Sequence, residues 1–168
     1  MLRPATAADF AFIRALAQRP DNAPYITDED EAALAAYLDS ADARLFIWQA
    51  GGAQGYALFN GLADNSGSVE LRRLALDQPG GGRGRAFVGA LVDHGFEALA
   101  ARRLWLDASG ENLRAQHLYE SLGFTLEGRL RAHWWRPALG RVVDVMLYGM
   151  MRDEWSARQP LAAPGPRA

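Results

Sequence analysis

Apolar residues recur along the chain with two different spacings, and the switches between them outline an α/β protein. Residues 2–5 read as a short first strand. Thr6, with Asp9 three residues on, resembles a helix start capped by Thr6, and Phe10, Ile13, Leu16 and Ala17 follow at helical spacing. A second helix is expected after Thr27, with Ala32, Leu34, Ala35 and Leu38 packing inward. Arg44–Ala50 reads as a strand, Gly51-Gly52 as a turn, and Gln54–Leu62 as the return strand of a hairpin. Asp64 to Gly67 turn again, into a strand from Ser68 to Asp77. From about Arg85 to Ala101 the stripe Val88, Leu91, Val92, Gly95, Phe96 and Leu99 has the helical period of about 3.6. Arg103 to Ala108 alternate as a strand, with Leu104 and Leu106 against Trp105 and Asp107. Residues 112–122 form a helix that stops at Gly123, the residue type best suited to a left-handed cap. Phe124–Leu130 and Val142–Met150 are the last two strands. The order β-α-α-β-β-β-α-β-α-β-β predicts an α/β fold on a mixed sheet.

Composition narrows the classes. A chain of 168 residues suits one domain with one core. Its 49% hydrophobic and 23% charged residues are those of a folded globular protein rather than a disordered one. A formal net charge of −2 provides no global attraction to nucleic acid or acidic membrane, so an anionic ligand would need a focused site. The absence of cysteine excludes disulfides, thiolate-bound metal and a cysteine nucleophile. Nothing resembles a signal peptide or a membrane span, so a cytoplasmic location is expected. Gln159 to Pro166, rich in proline and glycine, is expected to be mobile, which divides the chain into a domain over residues 1–155 and a tail over 156–168.

The most informative stretch is Gly80-Gly81-Gly82-Arg83-Gly84, set between a strand and a helix. Glycines let the backbone approach a ligand and adopt φ > 0 at little cost. The free amides and dipole of a helix start favour an anion such as a pyrophosphate, and Arg83 and Arg85 add positive charge there. The Walker loop is excluded because no Gly-Lys-Ser/Thr follows. The dinucleotide fingerprint fails as well, because Phe87 or Arg85 stands where its third glycine belongs. A phosphate cradle and a plain connector both remain open on these residues alone.

Other residue types are less specific. His94, His117 and His133 are scattered without ligand spacing, so no metal is expected. Ser109 and Ser121 lack the context of a nucleophile elbow. Arg129 to Arg136 mix arginines with Trp134 and Trp135 around His133, at the start of an expected loop over 130–141. This stretch reads as an acceptor-pocket wall, as an RNA-stacking patch, or as a hairpin with packed tryptophans and solvated arginines, the last being favoured for most of it.

From Ser68 to Trp155 the chain resembles the GNAT superfamily of acyl-CoA-dependent N-acyltransferases. Gly82-Arg83-Gly84 matches the Gly-x-Gly of the family loop, with Pro79 where Arg or Gln is usual and Gln78 one residue earlier. Asn112-Leu113-Arg114-Ala115-Gln116-His117-Leu118-Tyr119-Glu120-Ser121-Leu122-Gly123-Phe124 is similar to the family's Asn-x-x-Ala/Ser-x-x-x-Tyr-x-x-x-Gly-Phe helix. Glu127-Gly128, Asp144 and Glu154-Trp155 suit the branch that acetylates ribosomal-protein N-termini and small amines. The resemblance implies a single domain whose mixed, mostly antiparallel sheet of six to seven strands is flanked by about four helices.

It also implies acetyl-CoA as acyl donor, with no metal, and an amine acceptor that the sequence does not identify. The backbone of Leu74, Ala75 and Leu76 would meet the pantetheine arm and supply a donor to the carbonyl oxygen. Gly81, Gly82, Arg83, Gly84, Arg85 and Ala86 would hold the pyrophosphate, and Asn112 the pantetheine. Asn112 equally suits a helix N-cap. Glu70 is the candidate base and Tyr119 the candidate acid; the plainer readings are a solvated strand carboxylate and a half-buried core aromatic. By the strand period of 2, Glu70, Arg72 and Leu74 share a face unless a bulge intervenes. A homodimer is common in the family. The competing readings are a catalytically inactive CoA-binding module and an RNA-associated protein, the second disfavoured by the net charge.

Overall fold

The alternation of apolar and polar residues resolves into seven strands and five helices, seen in a computed structural model that describes residues 1–158. The tail expected from Gln159 onward lies outside the described residues. The strands are β1 (Leu2–Pro4), β2 (Arg44–Ala50), β3 (Ala53–Asn60), β4 (Ser68–Leu76), β5 (Arg103–Ser109), β6 (Thr125–Arg136) and β7 (Arg141–Met151). They form one sheet in the order β1-β2-β3-β4-β5-β7-β6. Every neighbouring pair is antiparallel except β4 with β5.

The helices are α1 (Phe10–Ala17), α2 (Glu31–Asp39), α3 (Arg83–Glu97), α4 (Leu113–Leu122) and α5 (Arg152–Ser156). Both faces of the sheet carry a core. On one face Phe10, Ile13, Leu16 and Leu34 of α1 and α2 pack on Leu45, Ile47, Tyr56, Leu58 and Ala75. On the other, Phe87, Val88, Leu91 and Phe96 of α3, with Tyr119 of α4, pack on Phe59, Leu71, Leu104, Leu106 and Tyr148. The mixed α/β architecture agrees with the sequence reading, with seven strands and a fifth short helix.

Local chemistry sets the element ends. Asp9 bonds the Thr6 amide through Oδ2 at 2.8 Å, with a 3-10 turn at Ala7–Asp9 leading into α1. α2 is capped by Asp30, whose Oδ1 accepts from the Ala33 amide at 2.8 Å. Leu34 and Tyr37 take its inward side, so Leu38, expected inside, is left 37% exposed at the margin. α3 starts two residues before the expected Arg85, because Gly82 at φ 79 turns the chain and its carbonyl accepts from the Ala86 amide at 3.1 Å. It stops at Glu97, short of the expected Ala101, where Ala98 and Leu99 both bond the His94 carbonyl and Ala100 takes φ 54.

Gly95 brings α3 close to β5: a Cβ there would lie 2.8 Å from Leu104 Cδ1 and Cδ2. Gly123 ends α4 at φ 96, and the Arg158 guanidinium occupies the space a Cβ would fill while donating to the Leu122 carbonyl at 2.8 Å. α5, which sequence periodicity did not reveal, docks through Trp155. Its ring stacks on Phe96 with centroids 5.2 Å apart, and its Nε1 donates to Asp93 Oδ1 at 2.9 Å. β6 runs six residues beyond the expected Leu130, so His133, Trp134 and Trp135 sit on a strand rather than in a loop.

Candidate active site

β4 and β5 pair only at Ser68 with Arg103, Val69 with Leu104 and Glu70 with Trp105. Beyond that point β4 continues along β3 to Leu76, and β5 continues along β7 to Ser109. The two strands therefore part. The edge of β4 from Leu71 to Leu76 keeps its outward amides and carbonyls free of a strand partner. A buried backbone in that state needs a partner from elsewhere. The gap opens into a cavity of about 800 Å³.

A bulge decides which β4 side chains face which side. Opposite β3, Leu58 pairs with Arg73 but Phe59 with Leu71, so Arg72 is the extra residue. Val69, Leu71, Leu74 and Leu76 all point to the α3/α4 side, and Ala75 to the α1/α2 side. Glu70 and Leu74 consequently lie on opposite faces, which corrects the period-2 expectation. Glu70 shares its face with Arg73.

The glycine loop closes one end of the cavity. Gly80, Gly81 and Gly82 adopt φ 106, 55 and 79, a left-handed run open to few other residues. Pro79, Gly80, Gly82, Gly84 and Arg85 line the wall, and Gly81, Arg83 and Ala86 do not. Among the described residues the amides of Gly82, Gly84 and Arg85 have no partner, while Arg83 and Ala86 donate to Gly80 and Gly82. A cluster of free amides at a helix start is an anion site. Arg85 is held over α4 by the Ser121 carbonyl and Oγ at 3.2 and 3.0 Å.

α4 forms the next wall. Asn112 lines the cavity, and its Oδ1 caps the helix by accepting from the Ala115 amide at 3.1 Å. The N-cap expected of Asn112 is thus present, on a residue that also lines the cavity. Tyr119 lines the same cavity, only 5% exposed, edge-on to Phe124 and Tyr148. Burial holds its hydroxyl well above the ordinary tyrosine pKa, and the fields of Asp107 and Tyr148 add to that. No hydrogen-bond partner engages that hydroxyl among the described residues.

The far side of the gap carries the charged groups. Arg72 Nη1 lies 3.3 Å from Glu70 Oε2, and Arg73 Nη2 lies 3.0 Å from Glu29 Oε1. The other Arg73 terminal nitrogen is buried without a partner. Asp107 also lines the cavity. Burial raises its pKa, the negative field of Glu70 raises it further, and Arg72, Arg73 and His133 offset part of this. Among the described residues it has no hydrogen bond or ion pair.

The segment 18–30, between α1 and α2, roofs this side with Asn22, Tyr25, Ile26 and Thr27. It is held by Arg136, only 2% exposed, which donates to the Pro24 and Ala23 carbonyls at 2.8 and 3.1 Å and to Thr27 Oγ1 at 3.3 Å. Arg136 also lies 4.6 Å from the Trp134 ring centroid. Arg19 Nη1 adds a bond to the Asp77 carbonyl at 2.7 Å, fixing the segment to the end of β4.

Of the residues singled out in the sequence, Glu70, Leu74, Ala75, Leu76, Gly82, Gly84, Arg85, Asn112 and Tyr119 line one cavity. Sequence reasoning missed Asp107, Arg73 and the role of Arg136. The available signal for Asp107 was a carboxylate on a strand whose other positions are mostly apolar. Glu127 and Asp144 serve the scaffold: Glu127 pairs with Arg103, and Asp144 pairs with Arg129 and accepts from the Ala132 amide at 2.7 Å. Among the described residues no group of acidic and histidine side chains could hold a metal ion, and no helix is long and apolar enough to cross a membrane.

Known proteins share this fold. Residues 1–125 match the family model described as acetyltransferase (GNAT) domain. No curated protein sequence matches the chain. Among solved structures, a spermidine N-acetyltransferase from Vibrio cholerae in complex with CoA and spermine superposes with a TM-score of 0.79 at 22% identity, over 93% of this chain and 97% of that one. A point mutant of the Vibrio cholerae enzyme gives 0.79 at 24% identity, covering 94% and 98%. A dodecameric structure of it gives 0.77 at 24% identity, covering 95% and 98%. At such identities the likeness concerns the fold.

Proposed function

The chain belongs to the GNAT acetyltransferase family, and on that footing we propose that it moves an acetyl group from acetyl-CoA to a primary amine by direct attack in a ternary complex. The observation that carries this reading is the parting of β4 and β5 over a cavity that runs to the free amides of the glycine loop. The pyrophosphate of CoA sits on the amides of Gly82, Gly84 and Arg85. The pantetheine arm lies along the open edge of β4, where Leu74, Ala75 and Leu76 offer the hydrogen bonds that β5 does not take up. That edge also stabilises the carbonyl oxygen as it gains charge. The CoA-bound neighbour supports a CoA ligand for this fold.

The acceptor enters from the α1/α2 side of the gap. An alkylamine with a pKa of about 10.4 is protonated at neutral pH and must lose a proton before it attacks. Glu70 and Asp107 are the carboxylates on that side. The neutral amine adds to the thioester carbon, the carbon–sulfur bond breaks, and the nitrogen loses its second proton. Tyr119 stands on the opposite side, toward α4. Its hydroxyl, kept neutral by burial, donates to the departing sulfur, so the products are the N-acetylamine, CoA thiol and one released proton. A cavity wall holding both a carboxylate and a free hydroxyl favours turnover over mere CoA binding.

The test is release of free thiol from acetyl-CoA on adding primary amines. The sequence contains no lysine, so the signal reports added amine rather than the protein's own side chains. Thiol release proportional to amine supports the reading. Bound acetyl-CoA with no thiol release across a broad amine panel contradicts it.

A further inference from the structure

The acceptor side of the gap has a distinctive floor. Across β5, β7 and β6 the pairings place Asp107 beside Leu147, Ser109 beside Val145, Val145 beside Leu130, and Val143 beside Trp134. Trp105, Leu147, Val145, Leu130 and Trp134 all line the cavity with Asp107. Tyr25 and Ile26 form the roof above them. The floor beside Asp107 is therefore apolar and aromatic, with His133 as a further polar side chain in the wall.

The charge balance is equally specific. Glu70 and Asp107 are the two carboxylates in the wall. Glu70 is paired with Arg72, which leaves Asp107 alone. Cations stand around it: Arg73 in the wall is bridged to Glu29 through one terminal nitrogen and unpartnered at the other, and Arg136, behind the roof, has backbone and hydroxyl oxygens but no carboxylate. A first ammonium meets Asp107. A second or third ammonium on the same acceptor finds no unpaired carboxylate in the wall, only Glu70 already held by Arg72 and the guanidinium groups of Arg72 and Arg73, and like charges in a partly buried site repel.

We infer that the acceptor is a monoamine on an apolar body of aromatic size, its ammonium on Asp107 and its body between Trp105, Trp134 and Tyr25, rather than a polyamine. This rests on the acetyltransferase reading and specifies its substrate class. Burying an aromatic side chain contributes enough to raise specificity by about tenfold to a hundredfold over a bare short-chain amine.

The experiment compares kcat/KM for 2-phenylethylamine, ethylamine and spermidine at one pH with saturating acetyl-CoA. The expected result is a preference of at least about tenfold for 2-phenylethylamine over each of the others. Trp134→Ala should shrink the gap between 2-phenylethylamine and ethylamine, and Asp107→Asn should raise KM for 2-phenylethylamine while acetyl-CoA affinity holds. Equal or better use of spermidine overturns the inference. So does equal use of ethylamine, or no turnover of 2-phenylethylamine by protein that acetylates spermidine. Failure to bind acetyl-CoA at all would instead remove the acetyltransferase reading beneath it.

Discussion

Glu70 and Trp105 form the last pair between β4 and β5 before the strands part. The carboxylate proposed to serve the acceptor and the aromatic floor proposed to hold it thus stand at the apex of the gap. Asp107, two residues past Trp105, is the next side chain on that face along the diverging strand. Proton removal can therefore be shared between two carboxylates of unequal setting, one paired with Arg72 and one unpaired.

Asp107 is set up for a trade between stability and activity. A carboxyl whose pKa is raised in the fold contributes stability that is complete below its unfolded pKa and is lost as pH rises through the folded value. At neutral pH the buried charge thus costs stability. Asp107→Asn should raise Tm at pH 7, by about 2–4 °C if the relief is about 1 kcal/mol, and the gain should shrink at acid pH. Activity should fall in the same variant. Thermal scans from pH 3 to 8 check the first part; a lowered Tm at pH 7 would count against it.

Asp9 should behave in the opposite sense. Its bidentate contact with Arg3, at 2.7 and 2.9 Å, and the Thr6 amide draw its pKa down to about 2. A lowered carboxyl pKa gives stability that is present above the unfolded pKa and is lost as pH falls through the folded one. Asp9→Asn should cost on the order of 1 kcal/mol at pH 7, after allowing for solvent screening of the half-exposed Arg3. The difference from the parent protein should close between about pH 4 and pH 2. Denaturant titrations across that window measure it.

Tyr119→Phe removes only a hydroxyl from a buried ring. If that hydroxyl assists the departing sulfur, kcat should fall by about 10²-fold or more while acetyl-CoA affinity changes little. Steady-state kinetics beside calorimetry separate the two. An unchanged kcat would return Tyr119 to the core.

Much of this was legible because the signals are local. The α4 motif fixes an N-cap at Asn112, a cavity-facing Tyr119 seven residues on, and a stop at Gly123, all within one helix. The glycine run announces positive φ by composition alone. Arg72 shows where local reading ends: a bulge is a property of pairing with β3, and it moved Glu70 and Leu74 to opposite faces. Arg136 bonds Pro24 across 112 positions, so neither the roof of the cavity nor its clamp has a signature in either segment. Asp107 alternates with Leu104 and Leu106 in the sequence, and only the sheet order shows that its face of the strand opens into the gap. α5 is five residues long, too short for periodicity to register.

The account depends most on acetyl-CoA occupying the gap from the glycine loop to the apex. A Cβ at Gly84 would lie 3.4 Å from Leu118 Cδ2, so alanine fits there, whereas the branches of valine crowd α4 and the free amides. Calorimetry of acetyl-CoA against the parent protein, Gly84→Ala and Gly84→Val, with ATP as the control ligand, tests this directly. Binding by the parent and by Gly84→Ala, at least about tenfold weaker binding by Gly84→Val, and no comparable binding of ATP is the predicted result. Equal acetyl-CoA affinity in Gly84→Val, or none in the folded parent protein, would contradict the account.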